Sequence, residues 1–385
     1  MKRLAILGQG VTAKSVQAKC EFLGYELVAV ESADLIVASP GLHPKYYPET
    51  NVPIISEIEF AYLELKKRGT LPNLVAVTGT NGKSTVTAMI AHVLNCPFAG
   101  NIGVPFIDFV ENPPSTLVLE LSSFQLETCY SFCADVAVLL NISLDHLSRH
   151  ATLNQYIEAK CRLFQSMSSE QTIVFNEFDE LVKQAVHSFS VKKHPFSLKS
   201  LPKNFSYHLP GRHNLLNVAA TLTACLELGV SVSECLSRLE SFKGLPHRLE
   251  FICKKNEVSY YNDSKATNLD STLRAVEAFS TPIHLILCGQ NKPDVSDSEI
   301  ALFLKTTHQQ VKEIYVYGGV SDRYQNQAKG LNSISFYANL NDCLSVIEKV
   351  ALQGEIVLFS PSSSSYDLYN SFEHRGDVFK RSVLA

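Results

Sequence analysis

The sequence lacks most of the features that announce secreted, metal-stapled or nucleic-acid-binding chains. Its ten cysteines include no C-x-x-C pair and no zinc-ligand spacing; Cys129 and Cys133 are the closest two. Most sit in apolar runs, as in Ala224-Cys225-Leu226, and read as buried free thiols in a reducing compartment. Positive charge is not in excess. With 34 basic and 38 acidic residues the net charge is -4, which argues against nucleic acid or a membrane surface as a partner. No apolar stretch is long enough to span a bilayer. The apolar run at residues 4–7 is too short for a signal peptide and reads as a first strand, so a soluble cytoplasmic protein is expected. There are no repeats, and the only low-complexity patch is Ser362 to Ser365.

What is present is material for real cores. A chain of 385 residues, 45% hydrophobic and 19% charged, suggests two or three domains. Apolar strand-like runs alternate with helical patterns almost throughout, which predicts an α/β architecture with mostly parallel sheets. Three blocks follow: residues 1–72, 73–244 and 245–385. The first has a strand at 4–7, then Gly8-Gln9-Gly10-Val11-Thr12, then a helix. Its second strand is expected to end near Val30 and its third to cover 34–38. Lys66-Lys67-Arg68-Gly69-Thr70-Leu71-Pro72 reads as the linker out. The third block carries strands at 258–261, 283–287, 314–317 and 356–359.

A strand at 74–77 runs into Thr78-Gly79-Thr80-Asn81-Gly82-Lys83-Ser84-Thr85, and a helix with apolar residues at Val86, Met89, Ile90, Val93 and Leu94 follows. The familiar phosphate loop, G-x-x-x-x-G-K-[ST], would need glycine at position 77, where Val77 stands; Gly79 comes two residues later. The recipe of strand, glycine loop, lysine, hydroxyl and helix is still that of a phosphate cradle. Backbone N–H groups and the helix N-terminus face the anion, the lysine neutralises it, and the Ser84 hydroxyl suits Mg²⁺. The bland alternative is a generic strand-to-helix turn.

Ligands in open α/β sheets gather at the carboxyl ends of strands. A buried-type strand at 116–119 ends in Glu120, a metal-ligand candidate unless it caps or pairs. A strand at 136–140 ends in Asn141-Ile142-Ser143-Leu144-Asp145-His146, where His146 is either a surface histidine or a second-metal candidate. Gly100-Asn101-Ile102-Gly103 is a similar loop, and Asn101 could bond substrate or nucleotide. In a helix expected over 152–165, Lys160 falls on the apolar stripe of Leu153, Tyr156, Ile157, Leu163 and Phe164. A free lysine with pKa ~10.4 is almost never neutral at pH 7. Burial favours the neutral amine, which can take up CO₂ as a carbamate, whereas a lysine that snorkels to water does neither.

The loop T-G-T-N-G-K-S-T resembles the ATP loop of the Mur ligase family, and further motifs resemble its D-glutamate-adding branch. These are Glu120-Leu121-Ser122-Ser123-Phe124-Gln125-Leu126-Glu127, Gly211-Arg212-His213-Asn214, Leu245-Pro246-His247-Arg248 and Asn262-Asp263-Ser264-Lys265-Ala266-Thr267-Asn268. Ser360-Pro361-Ser362-Ser363-Ser364-Ser365-Tyr366-Asp367 and Phe372-Glu373-His374-Arg375-Gly376 complete the set, in order along nearly the whole chain. The resemblance implies a three-domain architecture: a truncated Rossmann-like N-terminal domain, a central P-loop ATPase-like domain and a C-terminal Rossmann-like domain. It implies ATP-dependent addition of D-glutamate to UDP-N-acetylmuramoyl-L-alanine through an acyl phosphate, by a monomer using two Mg²⁺ ions. By the same resemblance Ser84 and Glu120 hold one metal, and His146 and a carbamylated Lys160 the other; Lys83, His146 and Lys160 are the catalytic set. ATP falls to Gly79, Thr80, Asn81, Gly82, Lys83, Ser84, Thr85, Asn214, Arg248 and Asp263. The UDP substrate falls to Gly8, Gly10, Thr12, Glu31, Ser32, Asn101 and Ser122. D-Glutamate falls to Thr267, Lys292, Ser365 and Phe372.

The sequence also departs from that pattern. The first block passes from Val30-Glu31-Ser32 almost at once to the next strand, so a helix–strand segment is missing from the part that would hold UDP. The Gly8/Gly10 turn lacks the third glycine of a dinucleotide fingerprint, since Ala13 stands there, which leaves a dehydrogenase the weakest reading. Cys288 replaces the family's glycine ahead of Lys292, with consequences expected for the turn that aims it. Rival readings are a folate-polyglutamylating ligase, against which the residues 262–268 motif speaks, and a degenerate nucleotide-binding relative without catalysis.

Overall fold

The computed structural model describes every residue except 1, 144–146, 204, 206, 208, 210 and 294, and only the backbone of 147 and 148. Three sheets organise the chain. The first is four-stranded and parallel, in the order β2-β1-β3-β4, from β1 (Lys2–Leu7), β2 (Tyr25–Leu27), β3 (Leu35–Ala38) and β4 (Ile54–Ser56). The second, also parallel, runs β10-β9-β8-β5-β7-β6 from β5 (Asn73–Thr78), β6 (Phe98–Gly100), β7 (Thr116–Glu120), β8 (Val136–Leu139), β9 (Thr172–Asn176) and β10 (Lys192–Phe196). The third runs β11-β12-β16-β13-β14-β15 from β11 (Glu250–Lys255), β12 (Val258–Asn262), β13 (Ile283–Cys288), β14 (Glu313–Tyr317), β15 (Ile334–Phe336) and β16 (Ile356–Ser362). Only its β11–β12 edge pair is antiparallel. The α/β expectation holds, and among the described residues no helix is long and apolar enough to cross a membrane.

By internal contacts the chain forms two compact units. One comprises residues 1–206 and 215–242, the other residues 207–214 and 243–385. In the first unit the first two sheets share one apolar cluster, running from Leu4, Val16 and Ile58 to Leu74, Phe106, Leu119 and Leu163. The helix Glu57–Arg68 ties them. Ser56 caps it, accepting from the Glu59 N–H at 3.2 Å. The Glu59 carboxylate in turn accepts the backbone N–H groups of Tyr130, Ser131 and Phe132 at 3.1, 2.7 and 2.9 Å. Glu57 accepts from the Ile107 N–H at 2.6 Å. Backbone donors of the neighbouring sheet region thus give these buried carboxyl oxygens partners. In the second unit, one face of the third sheet packs Leu285, Leu287, Val316 and Leu358 and the other packs Ile286, Tyr315, Val357 and Phe359, the period-two alternation of strands covered on both sides.

Several local expectations need correction. β2 ends at Leu27, not near Val30; Val30–Ser32 is a single 3₁₀ turn and the only helical element between β2 and β3. Asp34 precedes β3 and pairs with Arg3 at 2.7 Å instead of joining the strand. Lys66, Lys67 and Arg68 are no linker. They form the last turn of their helix, where cations complement the dipole, and Gly69, left-handed at φ 69°, ends it. The helix expected over 152–165 is Leu153–Cys161 capped by Thr152, followed by a 3₁₀ turn. The three-residue strands β4 and β15 carry no period long enough to read.

Candidate functional site

β5 lies between β7 and β8, so the chain builds β6 and β7 on one side of it and then crosses to build β8 on the other. Its carboxyl end is therefore a switch point, where an open α/β sheet leaves a crevice. Register places Glu120, the last residue of β7, beside Val77, and Asn141 two residues beyond Leu139, the partner of Thr78. The loop 79–82 leaves this point for the helix Lys83–Leu94. Gly79 has φ 150°, and a Cβ there would stand 3.0 Å from that of Leu140; Gly82 has φ 85°, and its Cβ would stand 2.7 Å from Asn217 Oδ1. Both glycines are required by close approach as well as by dihedral.

The loop is pinned from β8. The Thr80 N–H donates to Asn141 O at 2.9 Å and the Asn81 N–H to Asn141 Oδ1 at 2.8 Å, while Asn141 Nδ2 donates to Asn81 O at 2.9 Å. The Thr80 hydroxyl accepts from the Ser143 N–H at 3.0 Å and lies 3.1 Å from Tyr156 Oη. No side chain caps the Lys83–Leu94 helix at Gly82. Lys83 Nζ donates to the carbonyls of Gly79 and Thr80 at 2.9 and 2.8 Å. Lys160 Nζ reaches the same Gly79 carbonyl at 2.8 Å, is 1% exposed and lies 4.4 Å from the Tyr156 ring centroid. Lys160 does not snorkel: two lysine amines meet on one carbonyl.

Glu120 is 2% exposed. Its Oε1 accepts from Asn101 Nδ2 at 2.7 Å, and its buried Oε2 has no hydrogen-bond partner. An orphaned buried carboxylate oxygen is costly unless something cationic completes it. Ser84, buried at the head of the helix, offers a second hard oxygen. This donor set fits Mg²⁺. Lys160 as an amine is a donor, not a ligand, and fits a second metal only once carbamylated. His146 lies outside the described residues. Asn101 and Ser122 flank this point, but Asn101 spends its amide on Glu120, and Ser122 forms a capping box with Gln125 around the Ser123–Leu126 helix. Thr85 follows in the first turn, half-buried.

In the first sheet, Gly8 has φ 115° and packs against Ser39, whose Oγ would lie 2.6 Å from an added Cβ. Ser39 Oγ is buried and unpartnered. Gly10 starts the helix Val11–Leu23 with no side-chain cap, and Thr12 is half-buried in its first turn. Glycine turn, helix N-terminus and unused hydroxyl together make an anion cradle. Glu31 and Ser32 are exposed in the 3₁₀ turn. Ser39 escaped the sequence reading because a serine at a strand end carries no pattern; only its lack of a partner marks it.

In the second unit, the loops after β12, β13, β14 and β16 are laced together at the strands' carboxyl ends. Lys292 Nζ donates to Thr267 O at 2.7 Å, and the Gln290 N–H to Ser364 O at 2.7 Å. The wholly buried Arg375 reaches Ser264 Oγ at 3.0 Å, Ser264 O at 2.8 Å and Ser363 O at 2.8 Å. Phe372 opens the helix Phe372–Leu384, and its carbonyl accepts from Ser264 Oγ at 2.8 Å; Ser365 is buried, and its carbonyl accepts from the Tyr369 N–H at 2.9 Å. Thus Thr267 and Lys292 meet directly, while Arg375, Ser264 and Ser363 join the β12 and β16 loops; in the sequence nothing but its place in a motif marks Arg375. Asp263 accepts from Ser360 Oγ at 2.7 Å and from the Leu249 N–H at 3.2 Å, and burial lifts its carboxyl to about 7 against those bonds and the nearby Arg248. Asn214 is buried, its N–H on Gly211 O at 3.0 Å. Cys288 is the last residue of β13, fully buried, and burial raises its thiol to about 11. The turn glycine is Gly289, at φ 121°. The described cysteines are all free thiols, buried or partly buried.

A parallel sheet with a glycine loop and lysine at its switch point defines the class, an α/β nucleotide-binding protein of the P-loop kind. The model of the Mur ligase middle domain matches residues 77–225, and that of the Mur ligase glutamate ligase domain matches residues 247–363. The chain belongs to the Mur ligase family. It is 35% identical over 402 residues to the UDP-N-acetylmuramoylalanine--D-glutamate ligase of Pelotomaculum thermopropionicum, across 94% of this chain and 86% of that protein. It is 34% identical over 408 residues to the Clostridioides difficile protein of the same name, across 96% and 88%. Among solved structures, MurF from Acinetobacter baumannii superposes with a TM-score of 0.67 at 16% identity, covering 100% of this chain and 93% of that one. MurC from Thermotoga maritima gives 0.62 at 19%, covering 100% of both. At such identities these structures speak for the fold alone.

Proposed function

We propose that the chain is an ATP-dependent ligase that joins UDP-N-acetylmuramoyl-L-alanine to D-glutamate in peptidoglycan precursor synthesis, releasing ADP and phosphate. The observation that carries this reading is the convergence at the switch point: Lys83 and Lys160 on one carbonyl, with a half-used buried carboxylate on the adjacent strand. A glycine cradle alone would suit any nucleotide-binding protein. A second buried lysine and an orphaned Glu120 suit one that must bring another anion up to ATP. The names of relatives at 32–35% identity supply the substrates.

In this reading the phosphates of ATP lie on residues 79–85, at the helix N-terminus, and Lys83 leaves its two carbonyls for them. Asn214, Arg248 and Asp263 are the further nucleotide-side residues. Gly8, Gly10 and Thr12, joined by Ser39, take the diphosphate of the UDP substrate, with Glu31 and Ser32 toward the uracil and Asn101 and Ser122 nearer the reacting end. Thr267, Lys292, Ser365 and the backbone at Phe372 take D-glutamate, whose carboxylates need a cation and donors. A carboxylate oxygen of the first substrate attacks the γ-phosphorus and the bond to ADP breaks. The D-glutamate amine then attacks the acyl carbon and loses a proton, and phosphate leaves with the C–O electron pair. Ser84 and Glu120 would hold a Mg²⁺ ion, and His146 with carbamylated Lys160 a second; bound there, the ions neutralise the two anions that must meet. We assign the work to the cytoplasm and to a monomer acting on small molecules.

A heavy-oxygen label in the substrate carboxylate tests this course. One labelled oxygen per phosphate released supports the acyl phosphate; unlabelled phosphate refutes it.

A further inference from the structure

The loop that carries Lys292 has little structure of its own. Between β13 and the helix Asp297–His308, its described backbone bonds are the Gln290 N–H to Ser364 O and a long Val295 N–H to Lys292 O contact of 3.4 Å. Pro293 contributes no donor. Among the described residues, the Ser363 hydroxyl donates to Gln290 O at the start of the loop, and from Asn291 onward the loop is held by one side chain from another element. Arg323 projects from the helix Ser321–Gln327, which follows β14. Its Nη1 donates to Lys292 O at 2.8 Å and to Asn291 Oδ1 at 3.1 Å, and its Nη2 donates to Val295 O at 2.5 Å. Its Nε donates to Asp297 Oδ1 at 2.6 Å, so the cation is neutralised where it stands.

One planar guanidinium therefore grips two carbonyls that follow the Lys292 Cα and the Asn291 side chain that precedes it, and so fixes the direction in which the ammonium leaves the loop. With the loop so held, Lys292 Nζ arrives at Thr267 O. A lysine at 323 could supply charge but not this fork, because an ammonium is a compact point donor. With Lys292 O, Asn291 Oδ1, Val295 O and Asp297 Oδ1 all on the guanidinium, few of its donors are left for a substrate carboxylate.

We infer that Arg323 is a positioning residue for Lys292, and that it sets the affinity for the amino-acid substrate without touching it. This rests on the D-glutamate role proposed above for Lys292. The test is a double-mutant cycle, read as KM for D-glutamate and KM for ATP in phosphate release. Misplacing a binding group by an ångström or less costs about tenfold to a hundredfold. R323Q is expected to raise KM for D-glutamate by about tenfold with KM for ATP unchanged, and R323K to do nearly the same. In a K292A background, R323Q is expected to add nothing, since the interaction it serves is gone. R323K covers the case in which R323Q does not fold. An unchanged KM for D-glutamate in both Arg323 variants, or an R323Q effect as large in the K292A background as outside it, overturns the inference while leaving the role of Lys292 intact. A K292A variant with unchanged KM for D-glutamate instead brings down the role of Lys292, and the inference with it.

Discussion

Replacing Asn141 by alanine removes the side chain that clasps the phosphate loop from the neighbouring strand. The lost groups are the Oδ1 that accepts from the Asn81 N–H at 2.8 Å and the Nδ2 that donates to Asn81 O at 2.9 Å. The main-chain bond from Thr80 to Asn141 O survives, so the loop loosens without detaching. Each hydrogen bond contributes about 1 kcal/mol net. The pair then stabilises the cradle conformation by about 2 kcal/mol, and by about 1 kcal/mol if water replaces part of it. If ATP selects that conformation, its affinity falls by roughly five- to thirtyfold. The assay is ATP binding by calorimetry, with thermal unfolding alongside to show that the fold persists. Binding equal to that of the unaltered protein would refute the claim that Asn141 holds the cradle in shape.

Two further outcomes follow from buried charge. Lys160→Ala is expected to lose most activity while ATP binding persists, and added short carboxylates are expected to restore part of it, because they can stand in for a carbamate; full activity or no rescue counts against that role. Glu57, wholly buried, has its carboxyl raised from near 4.5 to about 7 by desolvation, in spite of the Ile107 N–H. The folded state thus binds a proton that the unfolded state gives up. The associated stability is fully present below about pH 4.5 and is lost as pH rises to 7. Glu57→Gln, which keeps the Oε1 acceptor, is expected to show a shallower fall in urea midpoint across that window, and parallel profiles would contradict the assignment.

The parts legible in the sequence are those where composition leaves one physical answer. The run from Leu74 through Lys83 needs glycines at 79 and 82, and the structure gives steric reasons for both. Lys160 stood out as a charge on an apolar stripe, and it is buried. The α/β alternation followed from long parallel strands with continuous apolar runs. What stayed illegible depends on partners distant in the chain. Asn141 looks like any strand-end residue until its amide meets Asn81, 60 positions away. Arg323 reads as a surface arginine until its fork closes on a loop 28 to 32 positions upstream. The basic run at Lys66, Lys67 and Arg68 misled because charge suits a linker and a helix C-terminus equally, and only Gly69 separates the two. β2 ended early because the ladder to β1 closes with the Val28 N–H on Leu4 O at 3.0 Å, and Ala29, though apolar, already caps the 3₁₀ turn.

The most direct measurement of the central claim is phosphate release from ATP by the purified protein, with UDP-N-acetylmuramoyl-L-alanine, Mg²⁺ and either D- or L-glutamate. The account predicts release that requires both the nucleotide-linked substrate and the D-isomer, with the matching dipeptide product by mass. Release with L-glutamate at the same rate, or no turnover while ATP still binds, would contradict it.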